Sequence, residues 1–114
     1  MDNMNILHIL WITDNKDTFF EMITMYACNS KRLNWWKNVN IIIWGASVRL
    51  AGNDTQVQSE ILEMLNQGIT VEACKDCCDN FVVTEKLKKL GVVVRYMGEP
   101  LTKYIKNNEK FLSI

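Results

Sequence analysis

The sequence predicts a doubly wound α/β fold, in which a mainly parallel sheet carries helices on both faces. Apolar runs of strand length alternate with helical patterns along the chain. The runs are apolar throughout instead of alternating with polar residues, which is typical of strands buried on both faces. With 114 residues, 48% of them apolar, the chain can bury one core without disulfide or metal. Residues 1–114 are therefore predicted to form a single domain.

The chain opens with a strand and a helix. Asn5 to Ile12 is a nearly continuous apolar run of strand length. Thr13 to Thr18 supplies N-cap residues and first-turn acid for a helix that starts near Lys16. Apolar residues then recur at helical spacing until the interval 30–34, where the pattern is lost.

A second strand and a second helix follow. Val39 to Trp44 is a short β-branched run closed by Gly45, the profile of a buried strand. Ala46 to Asn53 is predicted to be a polar connection. Caps at 54–55 then begin a helix, whose apolar residues occupy one face until Gly68 ends it.

The remaining elements are shorter. Ile69 to Ala73 predicts a third strand, and the pattern from Val83 to Leu90 predicts a helix that ends at a glycine. Val92 to Met97 predicts a fourth strand. A proline opens a last helix over 100–107, in keeping with the preference of proline for a first helical turn. Phe111 to Ile114 can add a fifth, very short strand, which gives a sheet of four to five strands.

Three of the four cysteines follow the third strand, at Cys74, Cys77 and Cys78. In parallel α/β sheets, ligands and chemistry collect beyond the carboxyl ends of the strands, where the strand order reverses. A strand order of 2-1-3-4 would put this reversal between the first and third strands, where the loops 13–16 and 74–78 meet. The cysteine cluster therefore lies where the predicted architecture places function.

Cys74 is the candidate nucleophile. It ends the third strand just before a helical turn, so free backbone N–H groups, the helix dipole and the side chains of Lys75 and Lys16 favour its thiolate. Cys77 lies three positions further on, a spacing that lets two sulfur atoms meet across one turn, as in dithiol redox pairs. The alternative for each is inert packing, which is our interpretation of Cys78.

A metal site and a cofactor site are not predicted. A structural zinc site needs four ligands, a second Cys-x-x-Cys is absent, and His8 is expected to be a satisfied histidine within the first strand. Zinc would need Cys28, which we assign to the core, or a second subunit. The glycine fingerprints of dinucleotide and phosphate sites are absent. A thioredoxin motif would follow the first strand, not the third.

The composition of the chain argues against binding to nucleic acid or membranes and against secretion. The 13 basic residues balance the 13 acidic ones, so there is no electrostatic footprint for nucleic acid or for an anionic membrane surface. No apolar run approaches the roughly eighteen residues of a membrane-spanning helix. The first residues carry no cleavage signature. We therefore expect a cytoplasmic protein.

Several segments together resemble the small DsrE/DsrF-like family, and they span nearly the whole chain. They are 6–14, 15–18, 41–46, 68–74 and 91–94. The most specific is Gly-Ile-Thr-Val-Glu-Ala-Cys, a strand that ends in a cysteine at the place the family leads one to expect. The resemblance implies a flavodoxin-like three-layer sandwich that assembles into trimers or hexamers. It also implies sulfur relay, in which Cys74 holds a persulfide and hands its sulfur to a partner protein.

The functional hypothesis is therefore a persulfide carrier or sulfurtransferase with sulfur donor and acceptor proteins as partners. Cys77 can discharge the Cys74 persulfide by forming a disulfide and releasing sulfide. The residues expected to line the site are Asp14, Asn15, Lys16, Gly45, Ala46, Ser47 and Lys75. For the first loop, the alternative is helix capping. The alternative function is a non-catalytic oligomeric module that binds a small anionic ligand or a protein partner at the strand ends.

Overall fold

Five apolar segments form one parallel sheet in the computed structural model, which describes residues 5–114. The strands are β1 (Ile6–Trp11), β2 (Asn38–Ile43), β3 (Thr70–Cys74), β4 (Val93–Arg95) and β5 (Lys110–Ser113). Their order is β4-β3-β2-β1-β5, and every neighbouring pair is parallel. The predicted flavodoxin-like α/β sandwich is thereby confirmed. Residues 1–4, on which the expectation about the start of the chain rests, lie outside the described residues.

Six helices connect the strands. Helix α1 runs without a break through Lys16–Thr18, a π-helical stretch at Phe19–Thr24, and Met25–Arg32. The others are α2 (Ala46–Asn53), α3 (Thr55–Asn66), α4 (Lys75–Asn80), α5 (Thr84–Leu90) and α6 (Gly98–Lys106). The predicted caps are confirmed, since the side chain of Asn15 accepts a hydrogen bond from the Thr18 N–H at 2.8 Å and that of Asp54 accepts one from the Val57 N–H at 3.0 Å.

The interval 46–53 is a helix, so the predicted polar connection is wrong. Ser47, Val48, Ala51 and Gly52 are buried on one face of α2. The opposite face is polar, and an internal glycine lowers the intrinsic helix propensity of this short segment. Packing against neighbouring elements stabilises the helix instead, as is usual for short helices in proteins.

The strand order differs from the 2-1-3-4 arrangement considered for this sequence. Strand β1 pairs with β2 and β5, and β3 pairs with β2. Right-handed connections carry the chain stepwise from β1 to β4, which places α1–α5 on one face of the sheet. The return from β4 to β5 runs across the sheet in the opposite direction, so it places α6 on the other face. The connections that follow β3 and β4 therefore diverge to opposite faces. Cys74, the last residue of β3 and the partner of Arg95 on β4, lies where these connections diverge.

The two faces of the sheet bury different cores, because side chains alternate between them. The main core lies against α1–α5 and includes Trp11, Phe19, Ile41, Ile43, Val57, Ile61, Met64 and Leu87. The smaller core lies under α6. It contains Ile42, Cys74 and Met97, flanked by Leu10, Trp44, Cys77, Leu101, Tyr104 and Phe111.

Gly52→Ala is expected to destabilise the fold. A Cβ atom at Gly52 would lie 2.5 Å from the Cβ of Val83, which is too close without a shift of one element. Overpacking of this kind costs about 1–3 kcal/mol, so the free energy of unfolding in urea should fall by that amount. Gly98→Ala is the matched control, because a Cβ atom there meets nothing within 4 Å. Equal stability of Gly52→Ala and the wild type would contradict the close approach of α2 and Val83.

Candidate functional site

Cys74 lies at the junction between β3 and α4. Its backbone is extended (φ −67°, ψ 118°), it precedes the first residue of the helix, and its side chain is 4% exposed in the smaller core. The backbone N–H groups of Cys77 and Asp76 donate hydrogen bonds to its sulfur. The helix start thus supplies the donors that the sequence predicts.

The protonation of Cys74 is nevertheless opposite to the predicted activation. Burial raises the pKa of this thiol above its ordinary value of 9.0, and the neighbouring Cys77 sulfur raises it further. The two N–H donors lower the pKa, but by less than burial raises it. Cys74 is therefore a protonated thiol at neutral pH.

Cys77 is next to Cys74 and more accessible. It lies in the first turn of α4, is partly exposed, and its side chain forms a hydrogen bond with that of Cys74. All four cysteines are free thiols. Cys78 is fully buried in the main core, and burial raises its pKa to about 12, in keeping with its interpretation as a packing residue.

The predicted cations are paired away from the thiols. The Lys75 Nζ lies 2.6 Å from Asp79 and 5.3 Å from the centre of the Tyr96 ring. The Asp79 side chain also accepts a hydrogen bond from Thr84. The positive charge of Lys75 is thus largely neutralised within its own helix.

The first loop contacts α2 and the start of α3. Asp14 forms an ion pair with Arg49 at 2.8 Å, and Lys16 forms one with Asp54 at 3.0 Å. Asn15 caps α1. The structure does not place these three side chains in contact with Cys74, and their partners match the capping alternative for this loop.

Residues 45–47 join β2 to α2. Gly45 adopts a φ of 76°, which favours glycine, and Ala46 is the first residue of the helix. Ser47 is fully buried, and its hydroxyl donates a hydrogen bond to the Trp11 carbonyl at 2.5 Å and accepts one from the Trp44 N–H at 3.2 Å. Ser47 therefore ties the carboxyl ends of β1 and β2 to α2.

An apolar groove of about 310 Å³ opens at the carboxyl ends of β1 and β2. It is lined by Leu10, Ile12, Trp44, Gly45 and Leu101. Three of these side chains, from Leu10, Trp44 and Leu101, also belong to the smaller core that holds Cys74 and Cys77. The groove thus borders the core in which the cysteine pair lies.

A buried polar network lies on the same face of the sheet. The Nδ2 of Asn40 donates to Glu72 at 2.9 Å, and its Oδ1 accepts from the Thr70 hydroxyl at 2.7 Å. This fixes the orientation of the amide, so Nδ2 also donates to the His8 Nδ1 at 3.0 Å and the His8 Nε2–H donates to Glu109 at 2.8 Å. His8 is therefore a satisfied histidine, as predicted.

Helix α6 completes this network. The Tyr104 hydroxyl donates to Glu72 at 2.7 Å and accepts from Arg95 at 3.0 Å, and Arg95 also forms an ion pair with Glu72. The Tyr104 ring stacks on His8 with the ring centres 4.0 Å apart. Burial raises the pKa of Tyr104 to about 12, so its hydroxyl remains a donor. Arg95 is the register partner of Cys74 on β4, which brings the network to the cysteine site.

The sequence interpretation missed this network. Its signal was a polar residue flanked by apolar residues in each of three strands: His8, Asn40 and Glu72. The register aligns His8 with Asn40 and Asn40 with Thr70, which places their side chains on one face. Within residues 5–114, no three His, Cys, Asp or Glu side chains are arranged to hold a metal ion. In the same range, no helix has the length and apolar content needed to cross a membrane.

No family model and no curated protein matches the sequence. The chain is similar to a solved structure of BT1422, a conserved protein of unknown function from Bacteroides thetaiotaomicron, with 65% sequence identity. The match covers 96% of this chain and 95% of BT1422, and the two structures superpose with a TM-score of 0.95. The chain belongs to the BT1422 family. A second solved structure, the ychN protein of E. coli, is 17% identical over 97% of the chain and 99% of itself, with a TM-score of 0.64. This likeness shows that the two chains share a fold.

In this member of the BT1422 family, Tyr104→Phe is expected to weaken the attachment of α6. The change removes a partly buried hydrogen bond to a carboxylate, so the free energy of unfolding should decrease by about 1–2 kcal/mol in urea titrations. Tyr96→Phe is the control, because the Tyr96 side chain is 62% exposed. If both variants lose the same free energy, the Tyr104 hydroxyl does not stabilise the fold.

The stability of the fold is expected to decrease above pH 9. An unfolded chain releases the Cys78 proton near the ordinary pKa of 9.0, whereas the folded chain holds it up to about 12. The unfolded state then binds fewer protons, so one such group lowers the unfolding free energy by up to about 1.4 kcal/mol per pH unit. Urea unfolding across this range measures the slope. Cys78→Ala should have a shallower slope, and an unchanged slope would contradict the burial of this thiol.

Proposed function

We propose that the chain is a sulfur carrier of the sulfurtransferase type, in which Cys74 holds sulfur as a persulfide and passes it to the thiol of a partner protein. The observation that carries this proposal is the contact between two free thiols, Cys74 and Cys77, where β3 ends and α4 begins. The resemblance of residues 68–74 to the DsrE/DsrF-like family supports the same chemistry.

The transfer conserves electrons at each step. A protein thiolate attacks the sulfane sulfur of a persulfide or polysulfide donor, a new S–S bond forms, and the donor thiolate leaves. An acceptor thiolate then attacks the outer sulfur and regenerates the protein thiolate. In a competing discharge, the Cys77 thiolate attacks the inner sulfur of a Cys74 persulfide, which gives the Cys74–Cys77 disulfide and releases hydrosulfide.

The site offers two features to a bound persulfide. The N–H groups of Asp76 and Cys77 point at the position of the Cys74 sulfur and stabilise negative charge there. The surrounding Ile42 and Met97 side chains are buried and exclude water and small thiols. Sulfur held on Cys74 is therefore shielded from discharge by small thiols from solution.

The proposal extends to partners and assembly. Donor and acceptor proteins in the cytoplasm exchange sulfur with a homo-oligomer, a trimer or a hexamer. In the part of the chain that the structure describes, one helix, α6, covers the second face of the sheet, and Val93, Tyr96 and Ile105 on that side are 54%, 62% and 57% exposed. Apolar and aromatic side chains of this kind are common in subunit interfaces.

The burial of Cys74 favours a second candidate function, a non-catalytic oligomeric module that binds a small anionic ligand or a protein partner at the strand ends. A thiol that is 4% exposed and protonated at neutral pH is also what inert packing produces. The test of the carrier distinguishes the two.

The carrier predicts a retained, reducible gain of sulfur. Wild-type protein is incubated with inorganic polysulfide, desalted and measured by intact-protein mass spectrometry before and after reductant. The wild type should retain the mass of added sulfur, and Cys74→Ser should retain none.

Cys28→Ser is the matched control, because this thiol lies on α1 and should leave the gain unchanged. Undiminished retention in Cys74→Ser would remove Cys74 from the proposed role. A wild type that is folded, carries free thiols and gains nothing would instead favour the binding module.

A further inference from the structure

We infer that sulfur enters through Cys77 and is stored on Cys74, an assignment that rests on the proposed function. The two thiols touch but differ in access, since Cys74 is 4% exposed and Cys77 is partly exposed. This reverses the order predicted from the sequence, in which Cys74 makes the first attack and Cys77 only resolves.

Access decides which thiol can meet a donor. Attack on a sulfane sulfur is a displacement that brings nucleophile and donor into direct contact. Cys74 is enclosed with Ile42 and Met97 beneath α6, so the body of a donor cannot approach it closely. Cys77 lies in the first turn of α4, between the two cores, with part of its surface open to solvent. The donor therefore meets Cys77 first.

The protonation of Cys74 also disfavours its direct attack on a donor. The pKa of Cys74 is raised by burial and by the adjacent sulfur, so its thiolate is scarce at neutral pH. A protonated thiol is a poor nucleophile toward a donor from solution. The hydrogen bond between the Cys74 and Cys77 side chains gives its proton a direct destination once Cys77 carries sulfur.

The internal transfer balances without an oxidant. The sulfur of Cys74 attacks the outer sulfur of the Cys77 perthiol, the S–S bond on Cys77 breaks, and a new S–S bond forms on Cys74. The Cys74 proton passes to the departing Cys77 thiolate, so neither charge nor oxidation state changes overall. The reverse step returns sulfur to Cys77, where an acceptor thiol can collect it.

Trypsin cleavage provides a direct test, because it cuts after Lys75 and so separates Cys74 from Cys77. Folded wild type, Cys77→Ser, Cys74→Ser and Cys28→Ser are exposed to inorganic polysulfide and quenched with iodoacetamide at successive times. Fragmentation of the peptides in the mass spectrometer then locates the added sulfur and distinguishes Cys77 from Cys78, which share a peptide. Circular dichroism and thermal unfolding confirm that each variant is folded, and the alanine variant at the same position replaces any serine variant that is not.

In the wild type, sulfur should appear first on the Cys77 peptide and then move to the Cys74 peptide. Cys77→Ser should load Cys74 at no more than about one tenth of the wild-type rate, because the accessible nucleophile is missing. Cys74→Ser should capture sulfur on Cys77 at the wild-type rate but lose it on desalting. Cys28→Ser should behave as the wild type.

Two contrary outcomes are distinguishable. If Cys77→Ser loads Cys74 at the wild-type rate, Cys74 is reached directly, and the entry role of Cys77 is overturned while the carrier remains. If the wild type itself retains no sulfur, the carrier is overturned, and the entry role falls with it.

Discussion

The candidate site depends on one constraint of chain topology, which leaves a single helix to cover the second face of the sheet. The connections that follow β1, β2 and β3 all step in one direction, and right-handed crossovers place their helices together. Among the helices of residues 5–114, only α6, on the return from β4 to β5, lies on the other side. This asymmetry makes the second core small, and it puts Cys74, the polar network and the exposed Val93 on the same face.

The hydrogen bonds of the polar network offset the free-energy cost of burying polar side chains. His8, Asn40 and Glu72 would each destabilise the fold if they were buried without partners. In the structure, every one of these side chains is hydrogen-bonded, and Tyr104 from α6 closes the set. Because Glu72 and Cys74 occupy alternate positions on β3, the same strand presents both to α6. The contacts that hold this helix in place therefore also enclose the thiol.

Local patterns predicted most of the elements, because apolar runs, caps and glycine stops are written in consecutive residues. The same logic failed for α2, where packing of Val48 and Ala51 outweighs the weak propensity of the segment. It failed for the strand order and for the polar network because both depend on which strands are neighbours. Within the candidate site, the sequence predicted the placement of Cys74 and Cys77 at a helix start. The burial of Cys74 could not be predicted from local sequence, because Met97 and Leu101, which belong to the same small core, are distant from it along the chain.

The competition at Cys74 explains why a helix start need not produce a reactive thiol. Helix α4 has six residues, so its aligned peptides and two N–H donors offer a limited field. Removal of a thiolate from water has a larger effect, because burial penalises a charged group. A perthiol that keeps its proton carries no charge, so the same enclosure does not disfavour it in this way. On the proposed carrier, the environment that makes Cys74 a weak first nucleophile is therefore suited to holding sulfur once Cys77 has supplied it.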